Sequence, residues 1–473
     1  MNFESYFKMV EIVIIAYFFL VNLSYVILFI IGLNSIIKYF RRKPFSGAEI
    51  ISRSKSTLPI SILVPACNEE QTIIDNVKAL LKLNYPKFEI IVINDGSTDG
   101  TFNLLRDEFN LIRSNAVFQQ TLKTEPVHST YSSMDVSNLF VINKKSCGNK
   151  ADALNAGLNF SKFQLYCAID ADTIIENNAL VRMVKPLLDS TEVVAVGGIV
   201  RVANGSEITE GEIKKVRTPR SLIANFQIIE YLRAFLTGRS GWSAMNSLLI
   251  ISGAFGLFRK AAVMEVGGYR VDTIGEDAEL VVRMHRIFRE KKRKYQIKFV
   301  ADPICWTEAP ENLKMLFRQR ERWHKGLFET IRMNRKMIFN PKYGRIGMLA
   351  LPYFLIFELL GPIFEIGGFL LFLVAFLTGF YTAPLLLLFI VASILFGTLL
   401  SIGALFIEEY DFNRYEKWTD VGKLIFFAFV ENFGFRQLLA FIRLRALLFI
   451  KISSWELIPR KGFAKQKIVP DAK

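Results

Sequence analysis

The chain contains little cysteine, four residues in 473, and no two of them form a Cys-x-x-Cys motif. Closely spaced cysteines are the usual signature of a zinc site or a disulfide framework, so neither is indicated. The four residues are Cys67, Cys147, Cys167 and Cys305. We predict that they are buried free thiols in a cytosolic part of the chain.

Charge is missing from two long stretches, residues 12–37 and 366–407. A helix needs about 20 apolar residues to cross a bilayer core, so the first stretch is long enough for one crossing. It lacks a basic leader and a small-residue cleavage site, which favours an uncleaved anchor over a signal peptide. The second stretch is too long for a buried helix of a soluble bundle. With its flanks it predicts two crossings, 346–377 and 385–407.

Positive charge is abundant, with a net charge of +15, but it is unevenly placed. Lys8 is the only cation before the first uncharged stretch, whereas four follow it directly: Lys38, Arg41, Arg42 and Lys43. Cations collect on the cytosolic side of membrane proteins, so we expect the next domain to be cytosolic. Because the cations crowd beside hydrophobic segments, an anionic membrane surface and an anionic substrate explain them better than nucleic acid.

Residues 58–306 alternate between apolar strand-like runs and segments of helical period. The candidate strands are 60–65, 89–94, 139–143 and 165–169, and the candidate helices are 71–83, 98–109 and 150–159. Such alternation predicts an α/β fold with a largely parallel sheet covered by helices. Residues 115–137 fit neither period, so we expect a long loop there, either a functional lid or a disordered segment.

The pattern changes after residue 306. Residues 313–338 place apolar side chains on one side of a helix and basic ones on the other, which is typical of a helix in the membrane interface. Charged residues interrupt the last apolar stretch, 421–450, and charge at bilayer depth is costly. We therefore predict a re-entrant or interfacial helix pair and a cytosolic C-terminus, with a third C-terminal crossing as the alternative.

Two carboxylates, Glu358 and Glu365, lie seven residues apart within the first predicted C-terminal crossing. Intramembrane carboxylates are rare and need a partner or a wet path. We expect them to pair with Arg436 or Arg443. The expected division of the chain is an anchor with a basic linker (1–53), an α/β domain (54–302), an amphipathic helix region (303–345), membrane helices (346–450) and a basic tail (451–473).

Polar loops follow two neighbouring predicted strands. The first loop begins at Pro65 and carries Asn68 and Glu69, and the second begins with Asp95. Strand ends of this kind form a crevice, in which Asp95 can accept hydrogen bonds from a nucleobase or a ribose. The structural alternative is that Asp95 only turns the chain.

Asp170 and Asp172 end another apolar strand, two residues apart, so we expect both carboxylates to point the same way. A hard divalent cation binds such a pair and can neutralise a diphosphate leaving group. An ordinary turn at the strand end is the alternative. Lys150 opens a predicted helix twenty residues earlier and adds a cation near this site.

Glu276 and Asp277 lie at the start of a predicted helix, where the helix dipole stabilises a negative charge. Helix capping is therefore one role for the pair. The other is chemical, because a carboxylate in a substrate cleft can act as the general base that takes the proton from an attacking hydroxyl. The two roles are compatible, since the dipole helps to keep such a base deprotonated.

Gln319, Arg322 and Trp323 occur at i, i+3 and i+4 of the amphipathic helix and share one face, whereas Arg320 is expected to point elsewhere. A guanidinium can neutralise a diphosphate, and an indole can stack on a sugar ring. The alternative for Trp323 is a place in the aromatic belt of the membrane.

Four motifs thus follow one another along the chain: the strand-end loops with Asp95, the pair Asp170 and Asp172, the pair Glu276 and Asp277, and the set Gln319, Arg322 and Trp323. With these motifs in this order, the chain resembles the membrane-embedded, processive family 2 glycosyltransferases, which include the cellulose, chitin, hyaluronan and poly-N-acetylglucosamine synthases. The resemblance spans essentially the whole chain and implies a GT-A-like nucleotide-sugar domain with interfacial and transmembrane helices. It implies that Asp95 faces the uracil base, that Asp277 is the catalytic base beside Glu276, and that Mg²⁺ or Mn²⁺ binds Asp170 and Asp172. The donor nucleotide-sugar would be held by Pro65, Asn68, Glu69, Asp95, Lys150 and Asp170, and the acceptor and diphosphate by Gln319, Arg322 and Trp323.

The implied activity is inverting, processive transfer from UDP-GlcNAc or UDP-glucose to a growing β-linked polysaccharide, coupled to export. The implied partners are the UDP-sugar donor, the polysaccharide or lipid acceptor, and membrane lipids. The expected location is the plasma membrane, with several crossings and a cytosolic catalytic domain. Two alternatives are a non-processive transferase that glycosylates a membrane lipid, and an inactive nucleotide-sugar-binding scaffold.

Overall fold

The computed structural model describes residues 3–42, 47–114, 119–209, 211–378, 383–412 and 414–449. The predicted basic tail, 451–473, lies outside these ranges, as do Lys43 and residues 115–118 of the predicted loop.

The first helix, α1 (Phe3–Arg42), contains the uncharged stretch 12–37. Partway along it, the ring of Tyr17 stacks on Phe364 with centroids 4.4 Å apart. Near its end, the Tyr39 hydroxyl donates a hydrogen bond to Asp302 at 2.7 Å. The helix therefore joins the C-terminal helices to the α/β domain. A short helix, α2 (Ala48–Arg53), follows.

A ten-stranded mixed sheet forms the centre of the α/β domain. Its strands in chain order are β1 (Ile60–Ala66), β2 (Phe88–Asp95), β3 (Leu111–Ser114), β4 (Val127–Ser133), β5 (Leu139–Lys144), β6 (Leu165–Ile169), β7 (Thr173–Ile175), β8 (Val193–Val202), β11 (Phe255–Arg259) and β12 (Gln296–Thr307). Across the sheet they follow the order β3-β4-β5-β2-β1-β6-β11-β8-β12-β7. Strands β9 (Glu207–Thr209) and β10 (Glu212–Lys215) form a separate antiparallel pair. The neighbours β5, β2, β1 and β6 are parallel and apolar on both faces, as expected of strands covered by helices on both sides.

Helices cover both faces of this sheet. They are α3 (Ile73–Leu81), α4 (Thr101–Glu108), α5 (Lys150–Phe160), α6 (Ala179–Asp189), α7 (Leu222–Tyr231), α8 (Ser240–Ala244), α9 (Lys260–Glu265) and α10 (Glu276–Glu290). A π-helical segment, Leu232–Arg239, joins α7 to α8. The predicted α/β class is thus confirmed, and every strand and helix predicted between residues 60 and 169 is present.

Two sequence expectations need correction. Residues 127–133 of the predicted loop form strand β4, which pairs antiparallel with β3 and β5. Its polar sequence hides it, because a strand near the sheet edge needs fewer apolar residues than a central one. The sheet also continues past the predicted domain boundary at residue 302, since β12 ends at Thr307.

The C-terminal helices begin with α11 (Leu313–Met333), and short 3₁₀ turns follow at Arg335–Met337 and Pro341–Tyr343. Residues 346–359 form π-helical turns around α12 (Leu351–Tyr353), and a 44° bend separates them from α13 (Gly361–Leu377). The next helix is α14 (Ala383–Phe412). The chain then forms α15 (Trp418–Val430) and α16 (Phe435–Leu448), with a 58° bend between them.

The described residues include one helix that is long and apolar enough to cross a membrane, Ile12–Arg41, and the number rises to three if each bent pair is a single span. The last apolar stretch, 421–450, forms two helices, α15 and α16, with a bend between them; its re-entrant or interfacial placement stays a prediction.

The predicted pairing of the two intrahelical carboxylates is confirmed. Arg443 lies 3.4 Å from Glu365 and 3.9 Å from Glu358. The other candidate partner, Arg436, binds Glu431 at 2.8 Å instead.

Candidate active site

A single cavity of about 1520 Å³ lies where the parallel strands β1, β2 and β6 end, and it continues between the C-terminal helices. Ligand sites of α/β sheets form at this edge, where the polar strand ends converge. Eleven of the twelve predicted site residues line this cavity: Pro65, Glu69, Asp95, Lys150, Asp170, Asp172, Glu276, Asp277, Gln319, Arg322 and Trp323. Residues far apart in sequence are thus brought together as the motifs suggested.

Asn68 is the predicted site residue that does not line the cavity. It adopts a left-handed backbone conformation with φ 57°. Its side-chain oxygen accepts a hydrogen bond from the Thr98 N–H at 2.8 Å, and its own N–H donates to the Ser97 hydroxyl at 3.0 Å. Asn68 therefore ties the loop after β1 to the loop after β2.

Asp95 ends β2 and is held by Lys144, its register neighbour on β5. The Lys144 ammonium lies 2.6 Å from Asp95 and 2.6 Å from Asp152, and its side chain is completely buried. Burial by itself lowers the pKa of Lys144, but the hydrogen bonds to Asp152 and Asp95 outweigh it and raise the pKa above its ordinary value. Sequence reasoning missed Lys144, although a lysine at the end of an apolar strand is the same signal that marked Asp95.

Asp170 and Asp172 lie in the turn between β6 and β7 rather than on the strand itself. Asn76 fixes this turn by donating a hydrogen bond to the Thr173 carbonyl at 2.7 Å. Lys150, the first residue of α5, forms an ion pair with Asp170 and donates to the Gly253 carbonyl at 3.0 Å. Burial lowers the pKa of Lys150, yet the charges of Asp170 and Glu276 prevail and raise it.

The two aspartates fit a divalent cation that also binds a diphosphate. Mg²⁺ in such sites takes one or two carboxylates, and substrate phosphates and water supply the other ligands. Asp170 and Asp172 provide two carboxylates that line the same cavity. Within the described residues, no group of three or more acidic, histidine or cysteine side chains is placed to hold a metal ion.

Glu276 and Asp277 begin helix α10, as predicted. The N–H groups of Gly253 and Ala278 donate to the Asp277 carboxylate at 2.9 and 2.8 Å and fix its orientation. Glu276 is buried, and burial together with the charge of Asp277 raises its pKa to about 7. One carboxyl of the pair thus holds a proton much more readily than an ordinary glutamate.

Helix α11 packs directly against this turn. A side chain on Gly275 would place its Cβ 3.0 Å from the Cα of Gly326, so the two backbones touch. Glu329 reinforces the contact by accepting hydrogen bonds from the Thr273 hydroxyl at 2.9 Å and the Ile274 N–H at 2.8 Å. This packing brings the helix that carries Trp323 to the wall of the cavity that holds Asp277.

Gln319, Arg322 and Trp323 all face the cavity. The expectation that Arg320 points elsewhere is wrong, because Arg320 lines the same cavity. Its guanidinium lies 4.5 Å from the Trp323 ring and pairs with Glu230 at 2.5 Å. The partner on the neighbouring helix α7 turns Arg320 inward, and helical spacing alone does not reveal that partner.

The prediction that the four cysteines are buried free thiols is confirmed in part. Within the described residues all four cysteines are free, and Cys167 and Cys305 are buried. Cys147, however, is exposed on the loop that precedes α5, and Cys67 is half-buried at the cavity wall.

Residues 58–326 match the family model described as glycosyltransferase like family 2. The chain is 28% identical over 294 residues to a poly-beta-1,6-N-acetyl-D-glucosamine synthase of Staphylococcus epidermidis, covering 62% of this chain and 60% of that one. It is 29% identical over 272 residues to the synthase of the same name in Staphylococcus aureus strain COL, covering 58% and 55%.

The match therefore extends over about 60% of the length of these curated relatives. Among solved structures, the mannosyltransferase PcManGT of Pyrobaculum calidifontis aligns over 90% of this chain and 99% of its own, at 17% identity and a TM-score of 0.48. That similarity is too low to support an argument. The family match covers more than half of the sequence, and on that ground the chain belongs to glycosyltransferase-like family 2.

Proposed function

We propose that this protein is an inverting, processive glycosyltransferase that adds sugar from UDP-GlcNAc to a growing β-linked polysaccharide at the membrane. The observation that carries the proposal is the convergence of eleven predicted site residues on one cavity. The names of the relatives favour N-acetylglucosamine over glucose as the transferred sugar. The same convergence argues against an inactive scaffold, which would not need a base and a cation site in one cavity.

The proposed reaction forms one C–O bond and breaks another. The acceptor hydroxyl attacks the anomeric carbon of the donor sugar, the bond from that carbon to the diphosphate breaks, and UDP leaves. Asp277 accepts the hydroxyl proton as the new bond forms. Asp170 and Asp172 would hold Mg²⁺ or Mn²⁺, which supplies positive charge to the leaving diphosphate.

The other residues bind and orient the substrates in this proposal. Asp95, fixed by Lys144, accepts hydrogen bonds from the uracil. Arg322 neutralises diphosphate charge, and Trp323 stacks on the acceptor sugar. Pro65 and Glu69 shape the donor crevice, and Asn68 acts through the loop that it holds.

The proposed location is the plasma membrane, with a cytosolic catalytic domain and several crossings by α1 and the C-terminal helices. We treat α15 and α16 as a re-entrant pair because both of its ends contact the cytosolic part. At one end, Lys423 donates to the Pro219 carbonyl at 2.8 Å. At the other, Arg445 lies 3.2 Å from Glu321 of α11. The bend between them contacts the middle of α14, where Asn432 donates to Thr398 at 3.2 Å.

A lipid acceptor is the second candidate. The part of the cavity formed by α13 is lined by Phe369, Phe372, Leu373 and Phe376, which suit an acyl or prenyl chain better than a sugar. A lipid held there would make the protein a non-processive transferase.

The test is to incubate the purified protein with a panel of radiolabelled UDP-sugars and to size the products. We expect UDP-GlcNAc to yield long, alkali-stable polymer. A single sugar that extracts into organic solvent would contradict processive synthesis and support the lipid acceptor. No UDP release from any donor would contradict the enzymatic function itself.

A further inference from the structure

An arginine outside the sequence motifs lines the same cavity as the proposed catalytic carboxylates. Arg239 is the last residue of the π-helical segment Leu232–Arg239. It shares the cavity wall with Asp172 and Asp277. π-Helical turns are rare and are found frequently at functional sites, which makes the role of this side chain worth resolving.

Arg239 differs in its ion pairing from four other arginines of the cavity. Each of those four pairs with a glutamate: Arg233 with Glu431 at 2.5 Å, Arg320 with Glu230 at 2.5 Å, Arg436 with Glu431 at 2.8 Å, and Arg443 with Glu365 at 3.4 Å. Arg239 has no such ion pair among the described residues, and its Nη1 is buried without a hydrogen-bond partner. The residue as a whole is half-buried, but a guanidinium with a buried, unpaired nitrogen and no direct ion-pair partner is unfavourable. A ligand that supplies a negative charge and a hydrogen-bond acceptor would therefore be stabilising.

The stacking around Arg239 holds it in one place. Its guanidinium lies 3.8 Å from the centroid of the Phe235 ring. The ring centroids of Phe235 and Tyr231 are 5.2 Å apart, and those of Tyr231 and Trp323 are 6.3 Å apart. This column of rings joins Arg239 to the proposed acceptor site. Helix α1 covers the same region, because a Cβ on Gly241 would lie 2.7 Å from the Leu28 carbonyl oxygen.

We infer that Arg239 binds the diphosphate of the sugar-nucleotide donor and remains bound to it in the UDP leaving group. The inference rests on the proposed function. The diphosphate is the anion of that reaction, and it must lie near Asp170 and Asp172 if they hold its metal ion. A neutral sugar oxygen would accept the Nη1 hydrogen bond but would leave the positive charge of the guanidinium uncompensated. A diphosphate oxygen supplies both the hydrogen-bond acceptor and the negative charge.

Electrostatics agree with this assignment. Burial lowers the pKa of Arg239 to about 10, and the charge of Asp277 is the largest opposing influence. The guanidinium thus lies within electrostatic reach of the proposed base. A diphosphate placed there would complete the counter-charge at the reacting end of the donor.

Binding measurements with three variants test the inference. Arg239→Met keeps an apolar stem over Phe235 but removes the charge, and Arg239→Lys keeps the charge. Arg233→Met is the matched control, since it removes an arginine from the same segment while Glu431 keeps Arg436 and Ser401 as partners. UDP affinity is measured in magnesium buffer, and uridine and inorganic diphosphate are used as competitors.

We expect Arg239→Met to weaken the binding of UDP and of inorganic diphosphate by roughly 10- to 100-fold and to leave the affinity for uridine unchanged. The UDP affinity of Arg239→Lys should fall by less than about tenfold, and that of Arg233→Met should equal the affinity of the wild type. Unchanged UDP affinity in Arg239→Met, or equal losses of UDP and uridine, would overturn the inference alone. Failure of the wild-type protein to bind UDP would instead overturn the proposed function.

Discussion

Replacing Lys144 by methionine tests how the donor crevice is held together. The substitution keeps the length of the side chain and removes a fully buried ammonium that lies 2.6 Å from both Asp95 and Asp152. Both carboxylates are themselves nearly buried, with side chains 7% and 5% exposed. Removing one partner of a buried ion pair leaves an uncompensated charge and costs about 3–5 kcal/mol.

The neighbouring Lys145 provides the matched control. Its side chain is 64% exposed and lies 3.4 Å from Glu125. An exposed pair of this kind contributes about 0–1 kcal/mol. The same substitution at two adjacent residues should therefore have very different effects.

The assay is thermal unfolding in detergent, followed by tryptophan fluorescence. For a domain of this size, 3–5 kcal/mol corresponds to a fall in midpoint of roughly 6–20 °C. Lys144→Met should show that fall, and adding Asp152→Asn should recover part of it by removing one stranded charge. Equal midpoints for Lys144→Met and Lys145→Met would refute the claim that the buried triad stabilises the crevice.

Three further predictions concern single cavity residues. Asp172→Ala should abolish Mn²⁺-dependent UDP binding in calorimetry, because one of the two carboxylates proposed to hold the metal ion is lost and the diphosphate charge is then poorly compensated. Unchanged affinity would show that Asp172 is not part of that site. The raised pKa of Glu276, about 7 against an ordinary 4.5, means that its stabilising contribution is present below about pH 4.5 and is lost as pH rises through about 7. At pH 8 the free energy of unfolding of Glu276→Gln should therefore exceed that of the wild type by roughly 3 kcal/mol. The variant should melt at a higher temperature, and an unaltered pH profile of melting would contradict this. Trp323→Ala should reduce polymer synthesis far more than hydrolysis of the donor by water, whereas a role confined to the membrane belt predicts normal chemistry per folded molecule.

Much of the site could be predicted because each motif follows a local rule. Asp95 ends an apolar strand, Asp170 directly follows one, and Asp277 lies in the first turn of a strongly amphipathic helix. Parallel topology then brings strand ends together without further information. The pairing of Glu365 with Arg443 could also be expected, because unpaired charges are costly in an apolar helix environment.

What escaped prediction depends on tertiary neighbours. Arg320 turns inward because Glu230, ninety residues earlier, lies opposite it. Among the described residues, Arg239 has no ion-pair partner, unlike the four cavity arginines that pair with glutamates, and a missing partner leaves no trace in a sequence. Strand β4 carries too few apolar residues to be recognised, since its neighbours β3 and β5 determine its conformation.

The most direct test of the central claim is a comparison of Asp277→Asn with Asp272→Asn. The first removes the proposed proton acceptor and keeps its shape, while the second makes the same change at a carboxylate that is 56% exposed in the preceding loop. A helix-dipole role for Asp277 alone is worth about 0.3–1 kcal/mol, so neither variant should unfold. UDP release and UDP affinity are measured on the same purified samples. We predict that Asp277→Asn slows release by roughly 10²–10⁴-fold with UDP affinity retained, and that Asp272→Asn is normal. Normal UDP release from Asp277→Asn would contradict the assignment of Asp277 as the catalytic base.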